Sequence, residues 1–78
     1  MNTEEFVKQK IDEKFKEAIA QNKTTIAIFD KWILVLRNNE KRLNLFIETA
    51  TENGFNLKQT ISGAMGTHLT HVFEKRDS

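Results

Sequence analysis

The chain contains no cysteine and no proline, and only three glycines, Gly54, Gly63 and Gly66, among its 78 residues. Without cysteine there can be no disulfide, no thiolate nucleophile and no cysteine-ligated zinc. A reducing, cytoplasmic setting is the expectation that goes with that absence. With no proline and so little glycine, no stretch has the composition of a linker or a low-complexity segment, and no internal repeat is found. Long apolar runs are missing too: the densest one is interrupted by Asp30 and Lys31 and falls far short of a membrane span, so no membrane association is expected. The first ten residues, MNTEEFVKQK, open with acids and lack a signal-peptide core. Nor is there an excess of one charge. Twelve basic and eleven acidic residues leave a net charge of +1, too little for a global field that would draw in nucleic acid or an anionic membrane. Partners would have to be recognised locally, by a single domain near the size at which one core is only just sufficient.

What is present is organised around Thr24 to Arg37, TTIAIFDKWILVLR, where apolar residues crowd too densely for a one-sided element. They are mostly β-branched, aromatic or leucine, which suits a covered sheet. The expectation is a tight hairpin, strand Thr24–Phe29 and strand Trp32–Arg37, in the middle of a sheet. Its Asp30-Lys31 turn lacks the glycine that two-residue turns favour. A competing reading makes Asp30 a helix N-cap and runs one long helix from Lys31 to Thr51.

Ahead of this stretch, Asn2 or Thr3 can cap a helix whose first turn carries Glu4 and Glu5, and Asn2 with Glu5 has capping-box spacing. Val7, Ile11, Phe15, Ala18 and Ile19 form its stripe, with Glu4–Lys8 and Asp12–Lys16 as exposed i,i+4 pairs. This helix should end near Gln21. After the apolar stretch, Asn38-Asn39-Glu40 suits the start of a second helix, Asn39–Asn53, with a stripe of Leu43, Phe46, Ile47 and Ala50 and a glycine stop at Gly54. Phe55, Leu57, Gln59 and Ile61 then alternate with polar residues, so Phe55–Ser62 reads as a half-buried strand. Gly63 to Gly66 is a loop, Thr67–Lys75 the antiparallel partner strand, and Arg76-Asp77-Ser78 a frayed tail. In the last strand, either the core face includes His71 or a bulge changes the phase. The expected fold is α+β: a two-layer sandwich of order α-β-β-α-β-β, two helices on one face of a four-stranded, mainly antiparallel sheet.

The segment Gly54-Phe55-Asn56-Leu57 after a helix, a glycine-containing turn, and Thr67-His68-Leu69 in a last strand ending Phe73-Glu74-Lys75 resemble small bacterial and phage domains of unknown function built on a β-α-β-β unit. The resemblance covers the C-terminal half and implies fold alone. It brings no site. The lysine- and asparagine-rich composition is of the kind common in AT-rich genomes, low-GC bacteria and their phages among them.

Candidates for chemistry are few. His68 and His71 are the only histidines, and on a strand their offset of three sends them to opposite faces with no third ligand nearby, so no metal site is expected. Ser62 lies outside any strand-turn-helix elbow, and Gly63 and Gly66 join two strands instead of leading into a helix, so neither a nucleophile nor a phosphate loop is indicated. The acids are spread over helix surfaces. No enzyme activity and no cofactor are expected.

A non-catalytic protein-interaction module, of the stoichiometric inhibitor or adaptor kind that phages and mobile elements encode, is the function left standing. A homodimer is open. Phe6, off the first helix's stripe, and Leu45, opposite the second's, are the candidate contact residues. The alternative is a small RNA- or DNA-binding module using the open sheet face, where Trp32 would stack on bases beside Lys31 and Arg37, with Lys58, Lys75 and Arg76 on the second hairpin. Trp32 separates the two readings, because in the first it packs in the core.

Overall fold

The computed structural model describes residues 2–63 and 69–76. The expected loop residues Ala64 to Gly66, the strand start Thr67-His68 and the tail residues Asp77 and Ser78 lie outside them.

Helix α1 spans Thr3–Ala20, and Asn2 caps it as its sequence spacing suggests: the Asn2 side chain accepts from the Glu5 backbone N–H at 2.8 Å and donates to the Glu5 carboxylate at 3.3 Å. The helix ends where Asn22 takes a left-handed backbone, φ 57°, and Lys23 N donates to the Ala18 carbonyl at 3.0 Å, closing the last turn without a glycine. Val7, Ile11, Phe15 and Ala18 are its buried face, while Ile19 is exposed. The expected Glu4–Lys8 and Asp12–Lys16 pairs within the helix are not the ones formed. Lys8 instead reaches Glu48 and Glu52 at 2.7 and 3.1 Å, Glu4 pairs with Lys41 at 2.6 Å, and Lys16 and Asp12 both bond Asn53. These exposed contacts strap α1 to the second helix and fix orientation more than they add stability.

Strand β1, Thr25–Phe29, follows, but the expected second strand of its hairpin is absent. Residues 31–36 form a turn. Asp30 accepts from Trp32 N at 3.4 Å, and Val35 N and Leu36 N both donate to the Trp32 carbonyl, at 3.1 and 2.9 Å. The cause is local. Asp-Lys lacks the glycine that favours the positive φ angles of a tight hairpin turn, whereas an aspartate readily caps the N–H two residues on. The competing long helix captures this cap, but residues 31–36 form a turn and not a helix, and the helix begins only at Asn39. A new cap, Asn38, accepts from Lys41 N at 3.1 Å to start helix α2, Asn39–Glu52.

Just past the α2 C-cap Asn53, Gly54 takes a φ of +82°, open to glycine at no steric cost. The helix's buried face is rotated from the expected stripe: Arg42, Phe46, Thr49 and Ala50 are buried, Leu43 is half-buried and Ile47 is exposed. A buried threonine is tolerated here because its hydroxyl donates to the Leu45 carbonyl one turn back, at 2.7 Å.

Strands β2, Phe55–Ser62, and β3, Leu69–Lys75, complete a three-stranded antiparallel sheet of order β1-β3-β2. The order of elements is therefore α-β-α-β-β, with β1 at an edge and not in the middle of a four-stranded sheet. Since β1 and β2 both run antiparallel to the strand between them, they are parallel to each other, and β1-α2-β2 is a split β-α-β unit. Both helices cover one face, where Phe15 meets Phe55 and Phe73, and Phe46 meets Trp32, His71 and Phe73, with ring centroids 4.5 to 6.2 Å apart. Of the two options for the last strand, the core face includes His71, 2% exposed, and the sheet's bulge lies in β2. Its pairing slips between Leu57 and Gln59, so Phe55 and Leu57 face the core, the exposed Thr60 stands opposite His71, and Ile61 turns to the open face.

Candidate functional site

Inside this core lies a polar cluster that the sequence did not announce. Asp30, at the end of β1, and Arg42, in the first turns of α2, are 2% and 1% exposed. Arg42 Nε donates to Asp30 Oδ2 at 2.7 Å, its Nη1 to the Leu36 carbonyl at 2.6 Å and its Nη2 to Asn39 Oδ1 at 2.8 Å. His71, on the central strand, places Nε2 3.5 Å from Asp30 Oδ2 and Nδ1 2.9 Å from the Thr60 hydroxyl. An ionised carboxylate only accepts, so in the contact with Asp30 it is His71 Nε2–H that donates. Among the described residues, no buried side-chain nitrogen or oxygen lacks a partner. Burial alone would raise the Asp30 pKa, but the hydrogen bonds from His71 and Arg42 and the guanidinium's charge outweigh it and hold the carboxyl below its ordinary value.

The cluster grips the turn from both ends. Asp30 takes the N–H of Trp32 at its start, and Arg42 takes the carbonyl of Leu36 at its close. Trp32 and Leu36, four residues apart, point inward, the tryptophan to 4% exposure. Between them the chain presents Leu34 and Val35 outward, 81% and 52% exposed. Two aliphatic side chains in water at the tip of a turn anchored by a buried ion pair make the most distinctive surface feature among the described residues.

The residues singled out from sequence are not brought together. Trp32 belongs to the core, with the Lys31 amine 5.5 Å from its ring centroid. Lys31 and Arg37 are exposed at either end of the turn. Leu45 is half-buried and packs against the core, not out into solvent. Phe6 is 40% exposed, with the Lys10 amine 5.6 Å from its ring centroid. Arg76, expected in a frayed tail, donates from its backbone to Gly54 and from its side chain to Thr51, at 2.9 and 3.0 Å. On the open face of the sheet the rows are Phe29-Thr70-Ile61, Ala27-Val72-Gln59 and Thr25-Glu74-Asn56. Lys58 sits at the bulge, and the only charge in these rows is Glu74.

Leu34 and Val35 escape the sequence reading because their apolar run places them in a covered strand. Spacing carried the signal: Trp32 and Leu36 share a side at i,i+4 once Asp30 is read as a cap, which leaves residues 34 and 35 on the other. Among the described residues no three of His, Asp and Glu gather as a metal-binding group, and no helix is long and apolar enough to cross a membrane. His68 lies outside the described residues. Compared with protein families, curated proteins and solved structures, the chain matches none in any of the three comparisons.

Proposed function

We propose that this chain is a non-catalytic protein-interaction domain, an inhibitor or adaptor of the stoichiometric kind, whose contact element is the turn 31–36 with Leu34 and Val35 as anchors. The observation that carries this reading is the combination of a buried, fully satisfied ion-pair cluster with the exposed aliphatic tip that it holds. A loop fixed by a rigid scaffold is the usual place for recognition. Burying a leucine or valine that is exposed beforehand adds about 1.5–3 kcal/mol each, and a turn already ordered loses little entropy on binding. Of the groups with the means for chemistry, Asp30 and His71 are buried and bonded to each other, and the exposed Thr60 is bonded to His71. For nucleic acid the open sheet face offers little, since Trp32 is inside and the strand rows carry no cation.

Affinity capture from the source cell tests the reading, run on the parent and on the Leu34→Asp/Val35→Asp variant, each with and without nuclease. The expected outcome is one protein in stoichiometric yield with the parent, resistant to nuclease and lost with the variant, while both proteins melt alike. A catch abolished by nuclease, or one indifferent to the two substitutions, contradicts it.

A further inference from the structure

Among the described residues, β1 pairs with β3 on one side and with no strand on the other. Asp30 N donates to the Leu69 carbonyl and Lys75 N to the Thr24 carbonyl, each at 2.8 Å, so the main-chain groups of the even-numbered residues 24, 26, 28 and 30 point toward β3. Those of Thr25, Ala27 and Phe29 therefore point away from the sheet. Lys31 N takes the Phe29 carbonyl at 3.0 Å; the N–H and C=O of Thr25 and Ala27 have no partner among the described residues. The five residues of β1 contain no proline, no bulge and no charge. The opposite edge, β2, is broken by its bulge at Lys58.

Beside β1, two shallow depressions that share Lys14 and Ala27 run along α1, lined by Ala18, Gln21, Lys23 and Ile26 on one side and by Phe29 and Lys31 on the other. Lys14, Lys23 and Lys31 are exposed, and none is in an ion pair among the described residues; the one acid lining the groove is Glu17. A second copy of the chain fits this edge poorly. In the two-fold antiparallel register centred on Ala27, the one that pairs the whole strand, Thr25 faces Phe29 and Lys23 faces Lys31, so like charges stand opposite at both ends. The same lysines suit an extended segment with acidic ends.

We infer that β1 accepts, by strand addition, an extended peptide segment of a partner protein that carries acidic side chains at both ends of a short β-forming core. The inference rests on the reading of the chain as a protein-interaction domain and adds the form of what it binds. Main-chain bonds to Thr25 and Ala27 would supply affinity, and the lysines would set choice of partner and register.

The probe is a synthetic eight-residue peptide of threonine and valine with two glutamates at each end, titrated into the isotope-labelled full chain, with a lysine-ended peptide as control. The expected result is hydrogen-exchange protection gained at the Thr25 and Ala27 amides with the acidic peptide alone, weakening as salt rises. Ala27→Pro, tolerable on an edge strand where the N–H faces outward, should weaken binding at least about ten-fold through lost main-chain bonds. Lys23→Glu/Lys31→Glu, which leaves the backbone untouched, should reverse the preference between the two peptides. No protection at Thr25 and Ala27, or a preference unchanged by the charge reversal, overturns the inference. Neither result bears on the Leu34-dependent capture, which stands or falls by its own variant.

Discussion

The Asp30 carboxylate and the Arg42 guanidinium meet at 2.7 Å with neither side chain more than 2% exposed. Twelve residues apart, they tie the end of β1 to the first turns of α2 and enclose the turn between them. Removing two charges from water costs several kcal/mol per ion, and the mutual attraction roughly offsets that only when the remaining donors and acceptors are also engaged. Here they are, through Leu36, Asn39, His71 and the Trp32 N–H. The pair's contribution is therefore best sought in the geometry it imposes on the turn.

Removing one partner leaves the other charge buried and alone. Arg42→Met should lower the unfolding free energy by about 3–5 kcal/mol, read from urea denaturation, and Asp30→Asn should cost less because the amide keeps one acceptor. The two together should cost less than the sum, the sign of a shared interaction. Additive losses would show that the two side chains act separately.

The depressed Asp30 pKa gives a pH dependence of defined sign. A carboxyl whose folded pKa lies below its unfolded value stabilises the fold above the unfolded pKa, about 4 for aspartate, and that contribution is lost as pH falls through the folded value. Stability should thus hold from neutrality down to about pH 5 and decline below it. In Asp30→Asn the decline should be shallower, measured as the change of urea midpoint with pH. An equal slope in both proteins would place the acid sensitivity elsewhere.

Phe15 and Phe46 are fully buried, each at the centre of its helix's inward face. Phe15→Ala and Phe46→Ala should each cost about 3–5 kcal/mol, a large part of a small domain's stability. Ile47→Ala, one residue along on an exposed position, should move stability by less than about 1 kcal/mol. Thermal melts of the three variants check the rotation of the α2 face directly, because the sequence stripe alone would have Ile47 matter as well.

Trp32 is the single tryptophan, and its burial against Phe46 predicts a blue-shifted emission that iodide does not quench. A red, readily quenched emission would put the indole on the surface and disconnect it from the core.

Legibility in the sequence followed the strength of local signals. The Asn2–Glu5 cap, the Val7-Ile11-Phe15-Ala18 stripe, the glycine stop at Gly54 and the β2–β3 pairing were all readable, because each rests on a spacing or a residue with one strong backbone preference. The stretch 31–36 was not. Trp-Ile-Leu-Val-Leu is as apolar as a covered strand, and only the absence of a turn-forming glycine and the capping capacity of Asp30 argued otherwise. The α2 face is hard to read for a related reason: Arg42 counts as polar in any pattern, and its burial depends on Asp30, Leu36 and Asn39, partners that only the folded chain assembles. The cluster is invisible for the same cause. A core-facing His71 is one of the two options its strand allows, but its partner Asp30 lies forty-one residues earlier in the chain.

If the buried cluster holds the turn that presents Leu34 and Val35, breaking the cluster should release that turn before the rest of the fold. Native-state hydrogen exchange of the parent and of Arg42→Met, compared amide by amide, measures it. In the parent, the Val35 and Leu36 amides, both bonded to the Trp32 carbonyl, should be protected. In the variant their protection should fall by a larger factor than that of amides in β3 and the middle of α1, showing a turn released locally from a fold still in place. Protection lost by the same factor everywhere, or kept at Val35 and Leu36, would contradict the claim.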